Sequence, residues 1–101
     1  MVHRQHPIEA RLRESIAAVI KVTGEQYKDL AAVTELAPPL ISRRQRGLIS
    51  WRISDIGVLA EHWRIPYGVL FTGASAAVAA LPDERVAELR QAHGRTLPEA
   101  A

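Results

Sequence analysis

Apolar residues recur at helical spacing through most of the chain. In the first such segment, one face of a helix carries Ile8, Leu12, Ile16, Val19 and Ile20. Pro7 suits the first turn, because an N–H at that position has no helical partner in any case. Gly24 suits the position just past the helix end. We therefore predict a helix that begins at Pro7 and ends at about Val22.

Proline and glycine residues divide the middle of the chain into shorter helices. We predict them over residues 25–33, 39–46, 53–63 and 66–71. The Pro38–Pro39 pair interrupts any longer helix, because each proline removes a backbone donor and disfavours helical geometry in the residue before it. A start at Pro39, with Pro38 as the cap residue, accommodates both prolines. Gly47 and Gly73 end the helices that precede them.

The last part of the chain differs in composition. Residues 74–81 are rich in alanine and predict either a helix or a linker. Residues 82–84, Pro-Asp-Glu, then begin a further helix, because proline suits a first turn and the two acids face the positive end of the helix dipole. Val86 and Leu89 give this helix a narrow apolar stripe that ends before Gly94. No segment shows strand-like alternation, so the predicted fold class is all-α.

The composition fits a small globular domain and excludes several kinds of site. The chain has 101 residues, of which 48% are hydrophobic and 24% charged, and it has no cysteine. A disulfide framework, a thiolate metal site and a cysteine nucleophile are therefore excluded. His3 and His6 have no further histidine near them in sequence, and no carboxylate pair or Gly-rich phosphate loop is present. We predict no enzyme activity, no metal and no cofactor.

Positive charge is concentrated in the middle of the chain, although the formal net charge is only +2. Between residues 36 and 54 there are four arginines and no acid. The remaining nine basic and eleven acidic residues leave the rest of the chain at −2. A local arginine cluster of this kind is typical of a phosphate-binding surface, and a solvated loop that lacks acids is the alternative.

Residues 25–46 meet the physical demands of a helix-turn-helix, in which two short helices cross at a tight turn. The contacts at such a crossing are supplied by Leu30, Ala31, Leu36 and Ile41. Leu36 is expected to fill the turn, and Ile41 to face inward from the second helix. Positions 39, 42, 43 and 46 then share the outward face of the second helix, which we expect to lie in the major groove of DNA.

The same residues resemble the Cro/repressor-type helix-turn-helix family of phage and bacterial regulators. The resemblance rests on Leu30–Ala31, Leu36 and the segment Leu-Ile-Ser-Arg-Arg-Gln-Arg-Gly at 40–47. It covers about residues 10–73 and continues through Trp51, Ile56, Leu59–Ala60, Trp63, Ile65–Pro66 and Leu70–Phe71. It implies a five-helix DNA-binding domain over residues 1–73, then an alanine-rich linker and an additional C-terminal helix over residues 74–101. It also implies that the protein is a sequence-specific transcriptional regulator of the repressor or Cro type.

Several residues bear on that resemblance. Glu35 stands at the turn position where the family favours Gly, so a positive φ there would strain the turn. Ala37 stands where Ser or Thr usually caps the second helix, so that side-chain cap is lost. Arg44 replaces an apolar residue, and we expect it at the edge of the core over Trp51. The spacing of Trp51 and Trp63 fits core packing better than stacking on nucleobases.

The DNA-contacting residues implied by this motif fall into two sets. We expect base contacts from Ser42, Arg43 and Arg46. An arginine fork on guanine O6 and N7 is the commonest specific contact in the major groove, and contact with phosphate alone is the alternative for both arginines. We expect phosphate contacts from Tyr27, Lys28, Arg44 and Arg52.

The partners follow from the same interpretation. One recognition helix reads only a few base pairs, so we expect double-stranded DNA and a homodimer, at least on the operator. Val86 and Leu89 are the candidate dimer contacts, and the alternative is that their helix packs on the chain's own core. Two other functions stay open: an antitoxin-type autoregulator with a protein partner, and a protein-interaction module without DNA binding. The lack of a bilayer-length apolar run and of a secretory signal predicts a cytoplasmic, nucleoid-associated protein.

Overall fold

The computed structural model describes residues 6–93, and the regular secondary structure of this range is entirely helical. In chain order it contains α1 (Pro7–Thr23), α2 (Tyr27–Thr34), α3 (Pro38–Gln45), α4 (Ile53–Trp63), a 3₁₀ helix (Tyr67–Phe71), α5 (Ala74–Ala80) and α6 (Asp83–Ala92). The all-α prediction is therefore confirmed. His3, Gly94 and residues 95–101 lie outside the described range.

The other helices pack around α1, which contacts α3, the 3₁₀ helix, α5 and α6. Its N-terminus is capped by His6, whose Nδ1 accepts a hydrogen bond from the Ile8 N–H at 3.1 Å. It ends at Gly24, whose φ of 79° is left-handed and suits glycine. The boundaries predicted for this helix are confirmed to within one residue.

One apolar core joins the helices. The stripes predicted on α1, α2 and α4 lie at its centre, where exposure does not exceed 6% for Leu12, Ile16, Val19, Leu30, Ala31, Ile56, Leu59, Ala60 and Trp63. Ile41 of α3 is fully buried, and Leu36 packs against the core from the turn. Trp51 is buried as well, so the prediction of core packing is confirmed for both tryptophans.

The ends of α2 and α3 differ from the predicted ones. Gln26 caps α2, and its backbone N–H donates to the Asp29 carboxylate at 2.7 Å. Ala37 is the cap residue of α3, with no side-chain hydrogen bond, and Pro38 is the first helical residue. The prediction that Pro38 is the cap is wrong, because the first two helical positions need no N–H and both prolines fit there. Ala37 has the extended backbone that a residue before proline prefers.

The C-terminal part of the described chain packs on α1. Residues 74–80 form a helix rather than an irregular linker, and Ala77 is fully buried. Leu89 is only 4% exposed, and Val86 packs against the same core. Of the two alternatives for this last helix, the structure shows packing on the chain's own core. Both candidate dimer contacts are therefore engaged within the chain.

The turn between α2 and α3 contains a strained residue. Glu35 has φ 61° and ψ 28°, and its N–H closes α2 by donating to the Ala31 carbonyl. This left-handed region disfavours every residue with a Cβ except, to a degree, Asn and Asp. The chain therefore holds Glu35 in a conformation that glycine would adopt with less strain.

We expect Glu35→Gly to raise the free energy of unfolding by about 0.5–1 kcal/mol, because relief of left-handed strain exceeds the extra entropy of glycine in the unfolded chain. Urea denaturation followed by circular dichroism measures the change. Glu35→Ala is the matched control, since it removes the same carboxylate and keeps the Cβ. A glycine variant less stable than the alanine variant would contradict the assignment of strain.

Candidate functional site

Three arginines lie on the surface formed by α3 and the loop that follows it. Arg43 belongs to α3, Arg46 is its C-cap residue, and Arg52 immediately precedes α4. All three are exposed, whereas Ile41 on the opposite side of α3 is fully buried. Within residues 6–93 no carboxylate forms an ion pair with any of the three. We call these residues the arginine surface.

A residue from α1 extends this positive region. The guanidinium carbon of Arg13 lies 3.1 Å from the position that a Cβ on Gly47 would occupy. Gly47 also has φ 78°. Its left-handed backbone and the nearby Arg13 guanidinium therefore both favour a residue without a side chain. Sequence reasoning missed Arg13, because the contact joins segments that are far apart in the chain.

Gln45 ties the end of α3 to α1 and to the following loop. Its Nε2 donates to the Arg13 carbonyl at 3.1 Å, and its Oε1 accepts a hydrogen bond from the Trp51 Nε1–H at 2.9 Å. Both ends of one amide are thus satisfied by different segments of the chain. The loop that carries Arg52 is consequently held in a defined position relative to α3.

Arg44 differs from the other arginines of this segment because it is buried, with 4% exposure. Its Nη1 donates to the Ser50 carbonyl at 2.5 Å and lies 3.9 Å from Oδ2 of Asp55. Its guanidinium carbon lies 5.9 Å from the centre of the Trp51 ring, as the expected placement over that ring requires. The guanidinium is held inside the domain, so it does not belong to the arginine surface, contrary to the predicted phosphate contact.

The remaining predicted contact residues occupy two places. Tyr27 and Lys28 are the first two residues of α2, and both are exposed. Ser42 lies on α3 and is half-buried. Because α2 and α3 pack against each other across the three-residue turn of residues 35–37, the start of α2 and the outer face of α3 belong to one rigid pair of helices.

A buried carboxylate lies just before the start of α2. Glu25 is 6% exposed and accepts hydrogen bonds from the Thr23 hydroxyl at 2.7 Å, the Trp63 Nε1–H at 2.7 Å and the His62 Nε2–H at 2.6 Å. Burial raises the pKa of Glu25, but the hydrogen bonds from His62, Trp63 and Thr23 together hold it below its ordinary value of 4.5. The carboxylate therefore stays ionised inside the domain. We call these four residues the Glu25 network.

The last described residue joins this network from α6. Nδ1 of His93 lies 3.3 Å from Oδ1 of Asp29, and its Nε2 lies 3.9 Å from Oε2 of Glu25. Arg85 of α6 donates through Nε to the His62 carbonyl at 2.7 Å. The network thus joins the α1–α2 turn, α4 and α6. Sequence reasoning did not identify Glu25 or bring it together with His62 and His93.

Two other kinds of site are absent from the described range. No group of histidine, aspartate and glutamate side chains between residues 6 and 93 has an arrangement that holds a metal ion. No helix in this part of the chain is both long and apolar enough to cross a membrane. The charged groups that the fold brings together in this range include the arginine surface, the Glu25 network and the ion pairs of Glu88 with Arg64 and Arg85.

Comparison of the chain with protein-family models, with curated proteins and with solved structures gave no match.

Proposed function

We propose that this protein is a sequence-specific regulator of transcription that binds double-stranded DNA through a helix-turn-helix made of α2 and α3. The observation that carries the proposal is the arginine surface, in which exposed guanidinium groups face away from the buried Ile41 and no carboxylate of the described range neutralises them. The core of a protein–protein interface is normally depleted in charged residues other than arginine, whereas a nucleic-acid interface is much more positively charged throughout.

In this proposal α3 lies in the major groove. Arg43 and Arg46 are one helical turn apart, and each presents a planar fork that matches guanine O6 and N7. Ser42 lies between them and the core, where its hydroxyl reaches a base edge or a phosphate. Contacts with bases give the specificity, and the other cations give most of the affinity.

Phosphate contacts come from residues around α3. Lys28 and Tyr27 contact the backbone from the start of α2, and Arg52 and Arg13 contact it from the far side of α3. Pro38 and Pro39 remove two N–H groups that a helix N-terminus otherwise offers to a phosphate. Side chains must therefore supply the contacts that fix the position of the protein on the duplex.

The salt dependence of binding to a random duplex tests this function. If three to five of the cations replace counterions, log Kd changes with log salt at a slope of about 2.7–4.5, and affinity falls about 40- to 500-fold between 50 and 200 mM salt. Fluorescence anisotropy of a labelled duplex measures both values. Binding that does not depend on salt, or no binding at the lower concentration, would instead favour the protein-interaction module.

A further inference from the structure

A buried charged pair lies next to the arginine surface, and its geometry is poor. Arg44 and Asp55 are both buried. Nη1 of Arg44 lies 3.9 Å from Oδ2 of Asp55, which is an ion pair but exceeds hydrogen-bond distance. Among the described residues, neither Nε of Arg44 nor Oδ2 of Asp55 has a hydrogen-bond partner. A buried pair of this geometry does not regain the free energy that desolvation of its two charges costs, so the stability of the core does not explain it.

The other contacts of Arg44 are with the loop of residues 46–52. Its Nη1 donates to the Ser50 carbonyl, and its guanidinium carbon lies 5.9 Å from the centre of the Trp51 ring. Asp55, its charged partner, belongs to the first turn of α4, just after that loop. One side chain of α3 thus contacts a carbonyl and a ring within the loop and a carboxylate beyond it.

Arg52 lies between these points of contact. Ser50 and Trp51 directly precede it in the chain, and its own carbonyl accepts a hydrogen bond from the Asp55 N–H at 3.0 Å. The Arg52 side chain is exposed and forms no ion pair within residues 6–93. Its position relative to α3 is therefore set by the loop, and the loop is held to α3 by Arg44 together with Gln45.

We propose that Arg44 is a positioning residue for DNA binding, which holds the loop of residues 46–52 to α3 so that Arg52 meets a phosphate while Arg43 reads a base. The inference rests on the proposed function, since it names what that function requires of a buried side chain. A loop that becomes ordered only on binding lowers affinity, because its conformational freedom is lost at that step. A loop that is ordered beforehand avoids this loss. The buried pair is thus retained for the position of Arg52 and not for the stability of the core.

Removal of both charges together tests the inference. The double variant Arg44→Met/Asp55→Leu keeps the net charge of the protein, so it does not change the long-range attraction of DNA. It leaves no unpaired charge in the core, so the midpoint of urea denaturation should stay close to that of the natural protein. The Ser50 carbonyl loses the Arg44 donor, but Ser50 is exposed and water reaches it.

A conservative variant covers the case in which the double variant does not fold. Arg44→Lys keeps a positive charge opposite Asp55, but it lacks the planar fork that reaches Ser50 and lies over the Trp51 ring. It should change the same measurements in the same direction, by a smaller amount.

Hydrogen exchange of the two indole N–H groups reports on the loop without DNA. The Trp51 Nε1–H donates to Gln45 at the loop, and the Trp63 Nε1–H donates to Glu25 in the core. In the double variant, exchange at Trp51 should accelerate by about tenfold, the effect of one lost hydrogen bond on local opening. Exchange at Trp63 should follow global stability and stay nearly unchanged. Nuclear magnetic resonance of nitrogen-15-labelled protein measures both rates.

A double-mutant cycle connects the loop to DNA binding. In the natural protein, Arg52→Ala should weaken binding to a random duplex by about fivefold, because one phosphate contact is lost. In the double variant, the same substitution should weaken binding by less than about twofold, because Arg52 is no longer held beside a phosphate. Arg43→Ala should keep its full effect on operator affinity in both proteins. Fluorescence anisotropy measures all of these affinities.

The outcomes separate this inference from the proposed function. An Arg52→Ala effect that is equal in the natural protein and the double variant, while duplex binding still falls with salt, would overturn the positioning role and leave the regulator intact. Unchanged exchange at Trp51, or equal acceleration at Trp51 and Trp63, would overturn it as well. A natural protein that binds no duplex at any salt concentration would reject both proposals together.

Discussion

Arg43→Ala and Arg46→Ala are each expected to weaken binding to a selected operator by about 1–3 kcal/mol, or about 5- to 150-fold. In the proposed complex, each substitution removes a fork that would donate two hydrogen bonds to one guanine, and no other described side chain of α3 offers such a fork on the exposed face. Both residues are exposed and belong to no ion pair of the described range, so the free energy of unfolding should change by less than about 0.5 kcal/mol.

Comparison of two duplexes separates base contact from phosphate contact. Loss of a base contact lowers affinity for the operator far more than affinity for a random duplex. Loss of a phosphate contact lowers affinity for the two duplexes equally and reduces the salt slope by about one. Arg52→Ala is the internal standard for the second pattern. Arg11→Ala, on the exposed side of α1, removes the same charge away from α3 and should leave binding nearly unchanged.

The selected operator itself supplies a further check. If Arg43 and Arg46 read guanines, sites selected from a random library contain a guanine at two fixed positions of each half-site. The Arg43→Ala protein should lose its preference at one of them and keep it at the other. Operator affinity that survives both substitutions together would reject α3 as the recognition helix.

Elements with a strong apolar period could be predicted closely from the sequence. The period of Ile56, Leu59, Ala60 and Trp63 predicted α4, and both of its ends are confirmed. Helix starts at prolines were less certain, because Pro38 suits either the cap or the first helical position, and only the packing of α3 decides between them. The alanine-rich segment was ambiguous for a related reason: the face that it buries depends on its contact with α1.

The candidate site was only partly predictable. The exposed arginines of α3 follow from helical spacing, which is a local property. The burial of Arg44 depends on Asp55 and on the Ser50 carbonyl, which the turn after α3 brings back to it. The burial of Glu25 was harder to predict, because its partners His62 and Trp63 lie 37 and 38 residues away in the chain. From sequence alone, a polar residue between the end of one helix and the start of the next is expected in an exposed turn. Glu25 is buried because the fold places His62 and Trp63 against it.

Loss of the buried Glu25 carboxylate is expected to destabilise the fold strongly. We expect Glu25→Ala to lower the free energy of unfolding by about 3–5 kcal/mol, because it removes a buried carboxylate and takes the shared acceptor from the donors of His62, Trp63 and Thr23. Trp63 and Thr23 are both fully buried in the natural protein, so their donors lose their acceptor in a region that bulk water does not reach. Urea denaturation at pH 7 measures the change.

The same network predicts how stability depends on pH. The folded-state pKa of Glu25 lies below the value of 4.5 for an unperturbed glutamate. The group therefore contributes stability that is fully present above pH 4.5 and is lost as the pH falls through the folded-state pKa. Titratable groups from three elements surround it: His62 on α4 and His93 at the end of α6 approach its Oε2, and Asp29 on α2 lies against His93. All of them remain in the Glu25→Gln variant.

The difference between the natural protein and Glu25→Gln consequently isolates the contribution of one carboxylate. Glu25→Gln keeps an amide oxygen that can accept from Trp63, so it should be more stable than Glu25→Ala at pH 7 and should show a flatter stability curve below pH 4.5 than the natural protein. Glu14→Ala, which removes an exposed carboxylate of α1, should change stability by less than about 0.5 kcal/mol. If Glu25→Gln and the natural protein lose stability in parallel between pH 5 and pH 3, the carboxylate titrates as an exposed one does. The assignment of an ionised, hydrogen-bonded Glu25 that joins α1, α4 and α6 would then be wrong.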